Sequence, residues 1–364
     1  VFVAFIILSY YSVIGGWVIK YFYEFVAGHS NALAGESYFG GFIGETWSPI
    51  LWLFLFMALT YLVVVNGVEK GIEKVSKVLM PILVVLSIAI AIYSATLPGA
   101  MEGIKYLFIP HLSQFTPMTL LAALGQMFYS MSLAMGIMIT YGSYLQKKDD
   151  LNKCVKRIEL FDTGIAILAA LMIIPAIFSF SAGDSTVLEA NLNKGPGLMF
   201  VTLPKVFDSM PFGGGVGAAF FLLVFFAALT SAISLMESVV STLGDKWKLR
   251  RGPATAIVAG AAFLLGIPSS LGNGAWASFT ILGMDFLTFF DFITNAVLMP
   301  IGAFLTCLFV GYVFGVQTIS DEVKISSQFK REAMYKIMVK YVAPICILAI
   351  LISSVLEGLG LLNF

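Results

Sequence analysis

Gln126 and Ser130 stand one helical turn apart inside residues 122–145, a stretch otherwise apolar enough to cross a bilayer. Its middle reads Gly125-Gln126-Met127-Phe128-Tyr129-Ser130-Met131-Ser132-Leu133-Ala134-Met135-Gly136. A span needs about 20 apolar residues, yet small and hydroxyl-bearing residues fill this centre. Glycine and serine weaken a helix, and backbone freed in lipid must find another partner. A helix opened at mid-depth offers carbonyls and N–H groups that can hold an ion or a zwitterion. That chemistry suits transport through a midplane site.

Other polar residues sit inside apolar runs. Thr230, Ser234, Glu237 and Ser241 recur at i, i+4, i+7 and i+11, a stripe widened by Ser231 and Ser238. Hydroxyls in membrane helices often bond only a neighbouring helix or their own i−4 carbonyl. Glu237 argues for more, because a carboxylate inside a span is costly. Hard cations prefer oxygen ligands, so Thr230 and Ser231 are candidate sodium ligands. Asp162 lies five residues past Arg157, about 7–8 Å along its helix. It is either an interfacial partner of Arg157 or Lys156 or an anionic ligand beside Ser130. Asp285 and Asp291 flank the start of one span, and spacing does not separate loop solvation from a gate acid. Tyr10-Tyr11 and Gly15-Gly16 permit close helix packing, or a tyrosine hydroxyl facing a cavity. Gly71 and Pro81 bracket one segment with helix breakers, so it could unwind cheaply to admit water.

The elements that must position these residues are membrane helices. The chain is 59% hydrophobic and 12% charged, against about 25% charged for a soluble domain. Equal numbers of basic and acidic residues, 21 each, give no signal for nucleic acid. Nine apolar segments cover about 1–27, 50–65, 75–97, 116–145, 155–180, 216–243, 254–267, 286–315 and 335–356. Seventeen of the 21 Lys and Arg fall in 70–77, 147–157, 246–251 and 324–340. These alternate loops are expected to face the cytoplasm; the others hold little beyond Lys105, Lys194 and Lys205. Nine spans fit that alternation. Val1 opens inside an apolar run without methionine or a basic n-region, so the chain reads as lacking earlier spans. Cys154, Cys307 and Cys346 lack metal-like spacing and read as packing residues. His29 and His111 fall in loops. Residues 181–215 form a long apolar connector, either a cap folded back on the protein or an ordinary packed loop. No nucleotide-binding loop, H-E-x-x-H or nucleophile triad is visible, so an enzyme is not expected.

Three separated motifs carry a resemblance: Gly125-Gln126…Ser130-Met131-Ser132…Gly136, Phe225-Phe226-Ala227-Ala228-Leu229-Thr230-Ser231, and Gly197-Leu198-Met199-Phe200-Val201-Thr202-Leu203-Pro204. In this order they resemble the neurotransmitter:sodium symporter family, particularly its bacterial LeuT-type amino-acid transporters. The resemblance covers essentially all of residues 1–364 as one transmembrane domain. It implies an all-α polytopic fold with inverted repeats, of which nine spans would be helices three to eleven. By resemblance, Tyr11 would bond the substrate carboxylate, and Tyr129 stands where the family usually has a phenylalanine lid. Ser132, Met135 and Leu235 would line the side-chain pocket. Ser130 and Asp162 would serve a first sodium; the Ala227 carbonyl, Thr230 and Ser231 a second. Gln126 and Asp291 would belong to the outer gate, and Gly71 to Pro81 matches a Gly-x9-Pro motif linked to inward opening.

The expected activity is sodium-coupled symport of a hydrophobic amino acid across the plasma (inner) membrane, with two sodium ions. The negative charge of Asp162 implies no chloride requirement. Ala134 departs from a glycine in the unwound stretch, and Tyr129 adds a hydroxyl to the lid. The family's glycine-rich first helix, with its share of both sodium sites, has no counterpart in these residues. A passive facilitator would need a continuous polar line, whereas these polar residues cluster at mid-depth. A nontransporting amino-acid sensor on the same scaffold would share the binding residues. Partners are therefore the amino acid and the lipid bilayer, with no nucleic acid; the oligomeric state is not readable.

Overall fold

Residues 1–110, 115–181 and 195–358 are described by the computed structural model. His111 and Lys194 lie outside the described residues, as does 182–194 of the expected cap. Among the described residues the regular structure is helical, apart from one isolated bridge between Ile281 and Met284. Eight helices or joined helical runs are long and apolar enough to cross a membrane: Phe2–Val26, Trp47–Val65, Val68–Ala95, Leu151–Ser181, Gly213–Trp247, Arg251–Leu271, Phe286–Ser326 and Glu332–Gly358. The remaining expected span is the interrupted one, Pro117–Ser130 followed by Ile137–Ser143. Most runs exceed the apolar segments by about a turn, because a helix continues past the residues that hydropathy detects. The chain is a multi-pass membrane protein.

In chain order, α1 (Phe2–Val26) leads through two short helices, α2 (Ser30–Leu33) and α3 (Glu36–Gly44), to α4 (Trp47–Val65). Then come α5 (Lys74–Ala95), α6 (Ala100–Phe108), the broken pair α7 (Pro117–Ser130) and α8 (Ile137–Ser143), and α9 (Leu151–Ser181). Next are α10 (Leu203–Asp208), α11 (Gly213–Trp247) and α12 (Arg251–Leu271). The last are α13 (Phe286–Asp291), α14 (Met299–Leu308), α15 (Val316–Ser326), α16 (Glu332–Ile337) and α17 (Ala343–Gly358).

Helix α1 is the central post, packed against α4, α11 and α12. Its buried face carries Ala4, Leu8, Val13 and Trp17. Small residues set the approach: a Cβ on Gly16 would lie 2.7 Å from the Leu53 amide nitrogen, so the two backbones touch there. Around this post, α5 packs on α9 and α11, and α17 packs on α14 and α7. Helix α7 begins in a capping box, with Thr119 N donating to Thr116 Oγ1 at 3.2 Å and Pro117 at the first position.

The described part of the long connector folds back onto the protein. Phe200, Leu203, Pro204, Val206 and Phe207 are buried. Phe200 stacks on Phe39 with centroids 5.2 Å apart, and the Tyr21 hydroxyl donates to its carbonyl at 2.9 Å. Lys205 and Glu36 add an ion pair at 3.0 Å. The segment from Gly71 to Pro81 is helical throughout: a π turn at Val68–Glu73 runs into α5, which passes through Pro81. A side chain at Gly71 would collide with the Val63 carbonyl, so this glycine fits a close approach to α4.

Candidate functional site

The break between α7 and α8 has a local cause. Ser132 (φ 55°), Ala134 (φ 60°) and Gly136 (φ 82°) are all left-handed. The non-glycine pair costs about 1–2 kcal/mol per residue, so the surroundings must hold it in place. The N–H groups of Met131, Ser132 and Leu133 turn back to carbonyls of Met127, Tyr129 and Phe128. The ladder resumes where Thr140 N donates to the Gly136 carbonyl at 3.0 Å. Gly136 itself packs on α11, where a Cβ would lie 3.0 Å from Ser238 Oγ.

Opposite this break runs the polar stripe of α11, which divides into two parts. In the upper part the Thr230 hydroxyl is shared between the Phe226 and Ala227 carbonyls at 3.0 Å each. Its oxygen lone pairs remain free to accept or coordinate. Ser231 is exposed, with Tyr11 of α1 beside it. In the lower part the stripe fastens helices together. Ser234 Oγ and the Tyr141 hydroxyl lie 2.8 Å apart, and the Tyr144 hydroxyl donates to Glu237 Oε1 at 2.6 Å. Arg251 grips both oxygens of the fully buried Glu237, with Nη1 to Oε1 at 3.2 Å and Nη2 paired to Oε2. The same guanidinium donates through Nε to the Val64 carbonyl at 2.8 Å. Glu237 is thus the charged knot of four segments, with its lone pairs satisfied by a fork and a phenol.

Ser130 and Asp162 are brought together: the Ser130 hydroxyl donates to Asp162 Oδ1. Among the described residues Asp162 has no ion pair with Arg157 or Lys156. The interfacial alternative is therefore not the arrangement seen. Ala227, Thr230 and Ser231 form a separate oxygen group on α11, sharing no hydrogen bond with the Ser130–Asp162 pair. Met135 and Leu235 are buried in one apolar cluster, against which Tyr11 and Tyr129 pack. Ser132 occupies a left-handed turn of the break. Gly71 and Pro81 stand apart from all of these, on the π turn and α5.

An open cavity of about 860 Å³ lies between α7, α13 and α17, and Gln126, Tyr129 and Asp291 all line it. The two aspartates of this region now separate. Asp285 caps α13, accepting from Leu287 N at 2.9 Å and Thr288 N at 3.1 Å. Asp291 faces the cavity and accepts from the Tyr10 hydroxyl at 3.0 Å and Asn295 Nδ2 at 2.6 Å. A π turn at Phe292–Leu298 follows it, and such turns often mark functional positions. The shift in register sets Asp291, Thr294 and Asn295 against one tyrosine. Sequence reasoning named Tyr10 only as a packing residue or a hydroxyl facing a cavity, and missed Asn295, Tyr141, Tyr144 and Arg251. Only the aromatic–polar spacing of 141 and 144 hinted at a partner stripe.

Comparison with known proteins identifies the scaffold. The profile of the sodium:neurotransmitter symporter family matches residues 42–360. The chain belongs to this family. It is 36% identical to the uncharacterised sodium-dependent transporter YhdH of Bacillus subtilis, covering 99% of this chain and 78% of that protein. It is 35% identical to an uncharacterised sodium-dependent transporter of Haemophilus influenzae, covering 96% of this chain and 77% of the relative. Among solved structures, MhsT in complex with L-phenylalanine superimposes with a TM-score of 0.84 at 39% identity, covering 97% of this chain and 79% of MhsT. The fold is therefore the LeuT-type symporter fold. The family is one of sodium-dependent transporters, and this member is not an enzyme.

Proposed function

We propose that this symporter-family member couples sodium entry to uptake of a hydrophobic amino acid by alternating access. The observation that carries the reading is the broken α7–α8 helix, whose Met135 shares an apolar cluster with Leu235, with Tyr11 and Tyr129 packed against it. Unwound backbone and half-helix ends at mid-depth are how such folds hold a zwitterion and its ions. In this reading Tyr11 binds the substrate carboxylate, Ser132 shapes the pocket, and Met135 and Leu235 receive an apolar side chain. The phenylalanine bound to MhsT supports that substrate class.

Sodium is a co-substrate. One ion sits at Ser130 and Asp162, where the carboxylate supplies negative charge and makes chloride unnecessary. A second sits at the Ala227 carbonyl, Thr230 and Ser231, neutral oxygens of the kind hard cations accept. Each charge moved through a 100 mV potential contributes about 2.3 kcal/mol, so two ions support steep accumulation. Gln126 and Asp291 gate the cavity side, and the Gly71–Pro81 segment loosens for release on the other. The basic loops face the cytoplasm of a plasma (inner) membrane.

Sodium titration of labelled phenylalanine binding to the full-length protein tests the ion assignments. Thr230→Ala and Ser231→Ala are each expected to weaken the sodium response about tenfold or more, the scale of one lost charge-assisted oxygen contact. Ser130→Ala should do so independently at the other site. Sodium curves that stay at wild-type concentration in all three variants would remove both assignments.

A further inference from the structure

A smaller cavity of about 260 Å³ lies between the far end of α1, α3 and the start of α4, lined by Lys20, Ser37, Tyr38, Glu45 and Ser48 among others. An ionisable side chain within an apolar span is costly and usually functional. Lys20 lies six residues before the end of α1, about 9 Å inside it. It stands nine residues past Tyr11, about half a turn around the helix, so it points away from the central site and onto α4. There its ammonium lies 5.8 Å from the Trp52 ring centre and 6.0 Å from that of Phe42, within cation–π range. It pairs with Glu24, whose other oxygen meets His29 Nδ1 at 2.5 Å. Lys20 is thereby held in place with its charge matched.

Glu45 is the unmatched charge. Its carboxylate has no ion pair or hydrogen bond among the described residues, although it lines the same cavity as Lys20. The Ser37 and Ser48 hydroxyls have no partner among them either. Opposite charges that line one small cavity without touching leave room for a ligand that carries both signs. The cavity also lies at the level of the bilayer surface. Helix α4 starts at Trp47, which is 79% exposed, and Tyr23 near the end of α1 is 55% exposed. Exposed Trp and Tyr at the ends of spans mark the headgroup level.

We propose that this cavity binds the headgroup of a phospholipid that carries a phosphate and a primary ammonium. The ammonium donates to Glu45. The phosphate accepts from the Ser37 and Ser48 hydroxyls and from the Lys20 N–H groups that Glu24 leaves over, since a lysine has three donors. A purely anionic headgroup would leave Glu45 unmatched, and a trimethylated one has no N–H to give it. The site is separate from the central one and does not depend on the transport reading.

The experiment follows maleimide labelling of Gly41→Cys in the full-length protein in nanodiscs, read on the peptide that carries residue 41. Gly41 lines the cavity and a Cβ there meets no atom within 4 Å, so the new side chain fits. Adding phosphatidylethanolamine to phosphatidylglycerol discs is expected to slow labelling about tenfold, the scale of one charge-assisted contact. Phosphatidylcholine should not slow it. Glu45→Gln should abolish the protection and leave the rate in phosphatidylglycerol unchanged, because Glu45 is exposed and supports no other residue. Equal labelling with all three lipids, or protection that survives Glu45→Gln, overturns the site. Soluble glycerophosphoethanolamine separates the two sources of the headgroup. Protection by it and not by the lipid would overturn a bilayer ligand.

Discussion

Arg251→Ala is expected to destabilise the protein by about 3 kcal/mol, because it strands a buried carboxylate. Glu237 has a fully buried side chain, and Arg251 supplies both of its charged contacts. Removing the guanidinium leaves the Tyr144 hydroxyl as its remaining donor and also frees the Val64 carbonyl. The Arg251 side chain is 31% exposed, so water can enter and reduce the loss below the 5 kcal/mol upper range for such deletions, about 3–5 kcal/mol. Glu237→Gln should cost less, since a neutral amide can keep the Tyr144 contact. Removing both partners together, as Glu237→Leu with Arg251→Met, should recover much of the loss. Thermal unfolding in detergent reads all four proteins. Additive losses in the double variant would mean that the pair is not the stabilising unit.

Gly16→Val is the second large effect, expected to cost about 3 kcal/mol, the upper end for overpacking a filled interior. The added Cβ would meet backbone, 2.7 Å from Leu53 N and from the Trp52 carbonyl carbon. Backbone cannot rotate away, so α1 and α4 must separate along the central post of the fold. At Gly15 the obstacle is the edge of the Phe56 ring at 2.5 Å, a side chain that can shift. Gly15→Ala should therefore be milder than Gly16→Ala, and unfolding temperatures of the two variants order them. The reverse order would place the tight contact on the wrong residue.

Much of this was legible in the sequence because a membrane helix declares itself by length and by the absence of charge. The broken span was legible too, since Ser132, Ala134 and Gly136 sit where a continuous apolar helix would carry larger residues. Ala134 shows the limit of that reading: alanine favours helix by propensity, and only its backbone shows the left-handed turn. Which hydroxyls bind ligand and which bind a helix was not legible in the α11 stripe. Periodicity gives one face, but Ser234 and Glu237 are occupied by Tyr141 and Tyr144 while Ser231 stays open. Tyr10 and Tyr11 differ by one position and hence by about 100° around α1. One therefore meets Asp291 on α13 and the other Ser231 on α11. The partner of Glu237 lies fourteen residues on, across a hairpin whose Lys248 is left-handed. No local pattern announces such a pairing.

The central claim is sodium-driven accumulation. Its most direct measurement places the full-length protein in liposomes and follows a labelled amino-acid panel under an inward sodium gradient, with choline as the control. Phenylalanine or another apolar amino acid should accumulate above its external concentration with sodium alone, and dissipating the gradient should release it. Equal uptake in sodium and choline, or binding that never exceeds equilibrium, would contradict the account.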